Sequence, residues 1–194
     1  KNKYELLILN VAKEWSSYKD FFFHNNAKLI DLNSNLNFDT LPKGSVIKSR
    51  FSYIVVSILS LFNLHKLILK EKPNFILIHL ITFAPLFLMN IFNYNTNFIL
   101  RISGYPKLNF LRKFFWKFSN KKIHKVLCPT LETKKQLIKY EIFDEIKLHV
   151  INEPIIDVEK VIQLRKKHPK ENNEFGKYVV SIGRLTKQKN HTFL

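Results

Sequence analysis

The chain of 194 residues is predicted to form an α/β fold in which crossover helices cover a doubly wound parallel sheet. Apolar runs of strand length alternate with helix-length amphipathic segments, and this alternation is typical of such folds. Several of the runs, FILIHL, NFILRIS and HKVLC, are largely apolar throughout rather than at alternate positions. Continuous apolar runs indicate strands that are buried on both faces of a sheet.

Proline, glycine and capping residues set the predicted element boundaries. The breaker Pro42-Lys43-Gly44-Ser45 precedes a long helix, and Lys72-Pro73 ends it because the residue before proline disfavours helical backbone. Pro85 suits the first turn of a helix, and Thr130 and Asp157 can each cap one. The predicted strands are 4–10, 75–80, 98–103, 125–128, 146–151 and 177–183, and the predicted helices are 46–71, 85–92, 108–118, 131–140 and 158–168.

A polar segment, PKENNEFG at 169–176, interrupts the pattern before a fresh strand at 177–183. We therefore place a domain boundary there, with one domain at 1–170 and the beginning of another at 171–194. The chain starts with Lys1 rather than Met and ends where a helix would be starting. We expect it to be a fragment that is incomplete at both ends.

The charge balance is strongly basic, with 32 Lys and Arg against 15 Asp and Glu, a formal net charge of +17. No acidic residue lies between Lys72 and Leu131. Such an excess favours phosphates, nucleic acid or an anionic membrane as partners. Compositional drift in a chain rich in Lys, Asn, Ile and Phe is an alternative explanation. The single cysteine, Cys128, excludes an internal disulfide, fits a reducing cytoplasm and is expected to be a core thiol.

Two segments raise the question of a membrane. The run 75–92 is uncharged and apolar, but polar interruptions and Pro85 argue against a transmembrane helix there. The segment 107–125 combines bulky aromatics with Arg112, Lys113, Lys117 and Lys121 at helical spacing. Its Phe and Leu residues are most simply the stripe that faces the core. Alternatively, the helix lies on an anionic membrane surface, which would suit an enzyme with a lipid-linked acceptor.

Ligands of open α/β sheets bind beyond the carboxyl ends of the strands, so candidate site residues lie at or just after the end of each predicted strand, with Arg101 inside its strand. Each has a structural alternative: a satisfied core histidine, a paired strand arginine, or turn and cap residues. The candidates in chain order are His79, Arg101, Gly104, Asn152, Glu153, Gly183, Arg184, Lys189 and Asn190.

The turn after the last predicted strand carries the sharpest signal. Gly183 allows the backbone to approach a ligand closely, Arg184 offers a planar fork of donors, and Lys189 adds a point charge. Asn190 stands where the next helix N-terminus would present free N–H groups. Together they predict a receptor for a diphosphate, with an ordinary basic turn as the alternative. The chain has neither phosphate-binding glycine motif nor closely paired aspartates for magnesium, which favours metal-independent chemistry.

The residues also carry a resemblance to a known family. VVSIGRLTKQKNHTFL resembles the opening of the second domain of retaining glycosyltransferases of family 4, which have the GT-B fold. KPNFILIHLITFAP, ILRISGYP, KVLCPTLETKKQLI and VINEPIID resemble, in order, elements of the family's first domain. The resemblance spans most of 72–194. Departures are Asn74 in place of an acid and Glu153-Pro154 in place of an Asn-Gly turn.

The resemblance implies a Rossmann-like acceptor domain followed by the first strand and helix start of a Rossmann-like donor domain. It implies a retaining hexosyltransferase for cell-surface polysaccharide or lipopolysaccharide, using a nucleotide-diphosphate sugar, no metal, and a glycan or lipid-linked acceptor. His79 would be the catalytic residue near the sugar, while Arg184 and Lys189 would bind the diphosphate. Arg101, Gly104, Asn152 and Glu153 would be acceptor or sugar contacts.

We expect the enzyme to be cytoplasmic and peripheral on the inner face of the plasma membrane, and the 194-residue fragment alone to be inactive. The alternative function is a non-catalytic basic α/β module that binds anionic lipid or nucleic acid. Nucleic acid is not the expected partner, because the aromatic residues lie mostly in apolar runs rather than interleaved with cations.

Overall fold

The structure is a computed structural model, and it describes residues 4–11, 13, 15–33, 46–152 and 158–167. The chain divides into two compact units, 1–153 and 154–194. The boundary predicted at 170 and the strand predicted at 177–183 lie outside the described residues.

The described part of the first unit alternates strands and helices, as the sequence predicts. Two short 3-10 turns also occur: Ser16–Tyr18 precedes the first described helix, and Glu145–Lys147 precedes the last described strand. Within the second unit the described element is one helix, α6 (Val158–Lys167), none of whose residues is buried. The elements of the first unit are β1 (Leu6–Asn10), α1 (Lys19–His24), β2 (Ala27–Asp31), α2 (Val46–Glu71), β3 (Phe75–Ile78), α3 (Phe83–Ile91), β4 (Asn97–Arg101), α4 (Phe110–Ser119), β5 (Ile123–Cys128), α5 (Leu131–Lys139) and β6 (Leu148–Val150).

The strands in the described part of the chain all pair in parallel and lie in two sheets. β1 pairs with β2, while β3, β4, β5 and β6 form a four-stranded sheet in chain order. Because parallel crossovers are right-handed and these four strands step in one direction, α3, α4 and α5 lie on one side of the sheet. The predicted α/β class with a parallel sheet is confirmed.

The ends of two helices follow directly from capping residues. The Thr130 hydroxyl accepts a hydrogen bond from the backbone N–H of Thr133 at the start of α5, as predicted. At the start of α4, the Asn109 side chain accepts from the N–H of Arg112. Each cap pairs an amide that the helix leaves without an internal partner.

The core lies between the four-stranded sheet and the helices on its covered side. Leu100 of β4, Val126 of β5 and Leu137 of α5 are fully buried in it. Cys128 at the end of β5 is also fully buried, so the prediction of a core thiol is confirmed. Burial raises the pKa of this thiol to about 11, although nearby Lys134 opposes the shift. The thiol is therefore protonated at neutral pH and does not act as a nucleophile.

The opposite side of the sheet is open at β3. The apolar run FILI predicts burial on both faces, but Phe75 and Leu77 are exposed while Ile78 is buried. This expectation was wrong because the crossover helices from β3 to β6 all lie on the side to which Ile78 points.

The segment α1 to β2 was not predicted from the sequence. α1 is a single short helix with no buried residue, so it lacks the apolar periodicity by which helices are recognised. β2 is a five-residue strand, AKLID, whose apolar positions show neither strict alternation nor a continuous run. Its position becomes clear only from its pairing with β1.

The long helix α2 has the predicted bounds and an unusual distribution of side chains. Its buried row includes Ser57 and Ser60, and the Ser60 hydroxyl accepts a hydrogen bond from buried Asn33 at 2.9 Å. His65 Nδ1 lies 2.6 Å from the Tyr94 hydroxyl and ties α2 to the loop after α3. The opposite row of α2 is exposed yet apolar, and its members are Phe51, Ile54, Ile58, Phe62 and Leu69.

Among the described residues, one segment is long and apolar enough to cross a membrane by length and composition, 51–71 of α2, with a mean hydropathy of 1.6. The run 75–92, which raised the same question in the sequence, instead forms β3 and the nine-residue α3. It is therefore too short in either element to cross a bilayer, in agreement with the sequence analysis.

The expectation that the Phe and Leu residues of 107–118 face the core is wrong for most of them. Leu108 and Phe115 pack against the core and Trp116 is buried within it. The remaining four are all between 60% and 80% exposed: Phe110, Leu111, Phe114 and Phe118. Only one side of α4 contacts the core. Because the apolar residues of this run occupy both sides of the helix, those on the other side are exposed.

The core placement predicts unequal effects for two leucines on neighbouring strands. Leu100→Ala removes a fully buried side chain and is expected to lower the free energy of unfolding by about 2–5 kcal/mol. Leu77→Ala removes a side chain that is 57% exposed and should cost less than about 1 kcal/mol. Urea unfolding measures both, and equal losses would contradict this core.

Candidate functional site

The carboxyl ends of β3 and β4 bring together several residues that the sequence singled out. His79 directly follows β3 and its side chain is exposed, so it is not a buried core histidine. Its Nε2 lies 2.8 Å from the Oγ of Ser103, which follows β4. The two atoms form a hydrogen bond, and the imidazole tautomer decides whether His79 or Ser103 is the donor.

Arg101 is the last residue of β4 and belongs to the same edge. Ile78 of β3 stands opposite Leu100, so the register continued by one residue sets His79 beside Arg101. Alternation along β4 sends Leu100 into the core and leaves Arg101 partly exposed. An imidazole, a hydroxyl and a guanidinium therefore occupy neighbouring positions at this end of the sheet.

The backbone after His79 is strained. Leu80 has φ of +62°, and the N–H of Ile81 donates to the carbonyl of His79 at 2.8 Å. A hydrogen bond across two residues around a positive φ is a γ-turn of the rare, strained type. Such strain persists only where surrounding structure enforces it, and it is concentrated at functional sites. No sequence signal reveals it, because leucine is not a turn residue.

Gly104 occupies a turn that needs glycine for its backbone. Its φ is +70°, a conformation that side chains disfavour. An added Cβ would meet no atom within 4 Å, so the constraint is conformational and not steric crowding. The turn follows Ser103 directly and fixes the point at which the chain leaves the site.

The other predicted site residues do not join this group. Asn152 is exposed and lies beyond β6, two strands away from β4, and the N–H of the preceding Ile151 donates to the carbonyl of Cys128 at 2.9 Å. Strands are about 4.8 Å apart, so Asn152 lies roughly 10 Å from the line of β4. The remaining candidates, Glu153, Gly183, Arg184, Lys189 and Asn190, lie outside the described residues.

A second polar cluster, which sequence reasoning missed, lies at the carboxyl ends of β1 and β2. Asp31 accepts hydrogen bonds from Asn10 at 2.7 Å and Ser16 at 2.9 Å, and its second oxygen lies 2.9 Å from Lys19 Nζ. The hydrogen bond from Lys19, with those from Ser16 and Asn10, holds the pKa of Asp31 below its ordinary value although burial opposes the shift. Every member already has a partner within the cluster, so its evident role is to join β1, β2 and α1.

Within the part of the chain that the structure describes, no three His, Cys, Asp or Glu side chains are grouped closely enough to hold a metal ion. The metal-independent mechanism stays a prediction.

No family model matches this chain, and neither a curated protein nor a solved structure does.

The strained turn predicts an uncommon effect of glycine. Leu80→Gly removes a side chain that is 70% exposed and relieves the positive φ, so it is expected to raise the free energy of unfolding by about 0.5–1 kcal/mol. Leu77→Gly, in extended backbone three residues earlier in β3, should lower the free energy of unfolding. Urea unfolding of the two variants distinguishes these outcomes, and a loss in both would show that the turn stores no strain.

The Asp31 cluster predicts a defined dependence of stability on pH. Because the folded state lowers the pKa of Asp31, its contribution is complete above the ordinary aspartate pKa and is lost as the pH falls through the lowered value. Asp31→Asn should therefore destabilise the protein near pH 7, and its difference in unfolding free energy from the wild type should shrink as the pH falls below the ordinary aspartate pKa. Asp20→Asn on exposed α1 removes the same charge outside the cluster and serves as control. A deficit of Asp31→Asn that is independent of pH would refute the electrostatic explanation.

Proposed function

We propose that this chain contributes the acceptor-side part of a retaining, metal-independent hexosyltransferase with the GT-B fold. The donor is a nucleotide-diphosphate sugar, and the acceptor is a glycan or lipid-linked molecule of cell-surface polysaccharide or lipopolysaccharide synthesis. The observation that carries the proposal is the pairing of His79 with Ser103 at the carboxyl edge of a parallel sheet, next to the strained turn at Leu80.

Three features of this edge support a carbohydrate site. Open α/β sheets bind their ligands beyond the carboxyl ends of the strands, where His79, Arg101 and Ser103 lie. Imidazole, hydroxyl and guanidinium groups supply the donors and acceptors that sugar hydroxyls need. The hydrogen bond to Ser103 fixes the orientation of the His79 ring, so that the ring is held in place before a ligand binds.

The chemistry then divides between two groups of residues. His79 contacts the transferred sugar and holds its ring in position. The diphosphate leaving group carries the charge that develops during transfer, and Arg184 and Lys189 bind and stabilise it. These two cations neutralise the charge of the leaving group, which is the role of the metal ion in metal-dependent sugar transfer. Gly183 and Asn190 complete the diphosphate site.

The net charge of +17 favours a second candidate, a non-catalytic basic α/β module. Such a module would bind polyanions through solvated lysines, and its affinity would fall steeply with salt for any polyanion. Such a module does not require the strained turn at Leu80 beside His79.

Binding of a nucleoside diphosphate separates the two candidates. We expect UDP or GDP at saturating concentration to raise the Tm of the full-length protein by several degrees, since a ligand at about 100 times its Kd adds roughly 2.7 kcal/mol of stability. Arg184→Ala should abolish the shift, whereas Arg165→Ala on exposed α6 should preserve it. An equal shift with unrelated polyanions, insensitive to Arg184, would favour the non-catalytic module.

The role of His79 has its own test. In a transfer assay of the full-length protein with UDP-glucose, UDP-galactose and GDP-mannose as donors, His79→Ala is expected to lower kcat by about a hundredfold, because a misplaced substrate can cost that much. Ser103→Ala should show a smaller loss, since it frees the ring without removing it. His124→Ala replaces another exposed histidine of the same sheet and should leave kcat unchanged. Unchanged transfer by His79→Ala would remove this residue from the site.

A further inference from the structure

We propose that the outer side of the layer formed by α2, α3 and α4 binds the surface of an anionic lipid bilayer, with α4 as its principal contact. This inference does not depend on the proposed transferase activity. It rests on the direction in which the apolar side chains of these helices point, on the distribution of charge around them, and on the rigid packing of the three helices.

The direction of the α4 side chains is the first observation. In a helix on the surface of a soluble domain, the side away from the core is normally polar. In α4 the helical spacing puts Phe110, Phe114 and Phe118 in one outward row beside Leu111, and all four are mostly exposed. The core contacts of α4 are made by Trp116 and Phe115 on its other side.

The neighbouring helices continue this apolar surface. The buried row of α3 faces the four-stranded sheet, and α2 packs beside α3, with Leu64 and Ile68 in one cluster with Leu88. The exposed rows of α2 and α3 therefore lie on the outer side of this helix layer, as that of α4 does. α3 adds Phe83 and Ile91, both exposed. The exposed row of α2 runs from Phe51 to Leu69, and a helical segment of that length extends about 27 Å.

The three helices are fixed to one another, so their outer sides form one surface. α2 packs along α3, and the rings of Phe83 and Phe115 stack across α3 and α4 with centroids 5.7 Å apart. Asn90 of α3 donates a hydrogen bond to the Ser119 hydroxyl of α4 at 2.8 Å. Lys122 Nζ donates to the carbonyls of Asn90 and Phe92, which holds the C-terminal end of α3.

The positive charge around this surface favours an anionic partner. The stretch from Lys72 to Leu131, which contains α3 and α4, has no acidic residue. Within it, Arg112, Lys113 and Lys122 make contacts inside the fold, with Lys113 Nζ 3.8 Å from the Tyr140 ring centroid. Lys117 and Lys121 are exposed beside the outward phenylalanines, and no described carboxylate forms an ion pair with them.

A bilayer fits this combination better than a protein or a nucleic acid does. An amphipathic helix lies in the membrane interface with its apolar side among the acyl chains and its cations at the headgroups. Phe and Leu side chains in the outward row of α4, with lysines along the same side, match that environment. A nucleic acid would gain little from the leucines and isoleucines of α2 and α3, which offer no stacking surface.

Co-sedimentation of the chain with vesicles tests the proposal. We expect strong binding to phosphatidylcholine vesicles in which about one lipid in three is phosphatidylglycerol, and at least tenfold weaker binding to phosphatidylcholine alone. The double variant Phe114→Ser with Phe118→Ser should lose at least tenfold in affinity. Phe23→Ser, on α1 and 78% exposed, should bind like the wild type.

A second pair of variants tests the charge. Lys117→Gln with Lys121→Gln should weaken binding to the anionic vesicles about tenfold and leave the weak binding to neutral vesicles unchanged. Lys28→Gln with Lys139→Gln removes the same net charge from exposed positions of β2 and α5 and should cost much less. Because all four lysines are exposed, thermal unfolding should be nearly unchanged in both pairs.

Several results would overturn the proposal. Equal binding to neutral and anionic vesicles would show that charge does not contribute to binding. Absence of binding to both kinds of vesicle would show that this surface does not bind a membrane. Sedimentation as a dimer that the Phe114 and Phe118 substitutions abolish would assign the surface to a second copy of the chain. Binding to dextran sulfate that is as tight as binding to vesicles, and is unaffected by the phenylalanine substitutions, would identify a general polyanion surface.

Discussion

Parallel pairing from β3 to β6 is the constraint on which the first unit of this protein depends. Parallel neighbours cannot be joined by tight turns, so each connection crosses over with one hand, and strands in chain order place all the crossover helices on one side. The same pairing brings all the carboxyl ends to one edge. The core, the open face at Phe75 and Leu77, and the meeting of His79 with Ser103 are three consequences of one hydrogen-bonding pattern.

What the sequence predicts well are elements with strong local signals. The bounds of α2 follow from a glycine and proline breaker before it and a lysine and proline after it, and Thr130 caps α5 as its position suggests. α1 and β2 are short and lack periodicity, so only their tertiary pairing reveals them. The turn at Leu80 is not indicated by the sequence, because leucine has no preference for a positive φ.

The candidate site, too, could be predicted only in part from the sequence. Sequence position could place His79, Arg101 and Gly104 near the carboxyl ends of neighbouring strands, and the parallel register brings His79 and Arg101 to adjacent positions. Which side of a strand or helix faces the core is harder to read where apolar residues occupy both sides. Phe114 and Phe115 are adjacent in the sequence, yet the former points outward and the latter packs against the core, and only the sheet decides between them.

The buried position of Cys128 has a practical consequence for studying this molecule. The chain has a single cysteine, which is inaccessible and, with a pKa of about 11, almost wholly protonated at neutral pH. Maleimide reagents react with accessible thiolates and would therefore not modify Cys128. A new cysteine engineered at any exposed position would therefore take up a fluorophore or spin label selectively, and the native thiol could stay in place while distances and mobility are recorded.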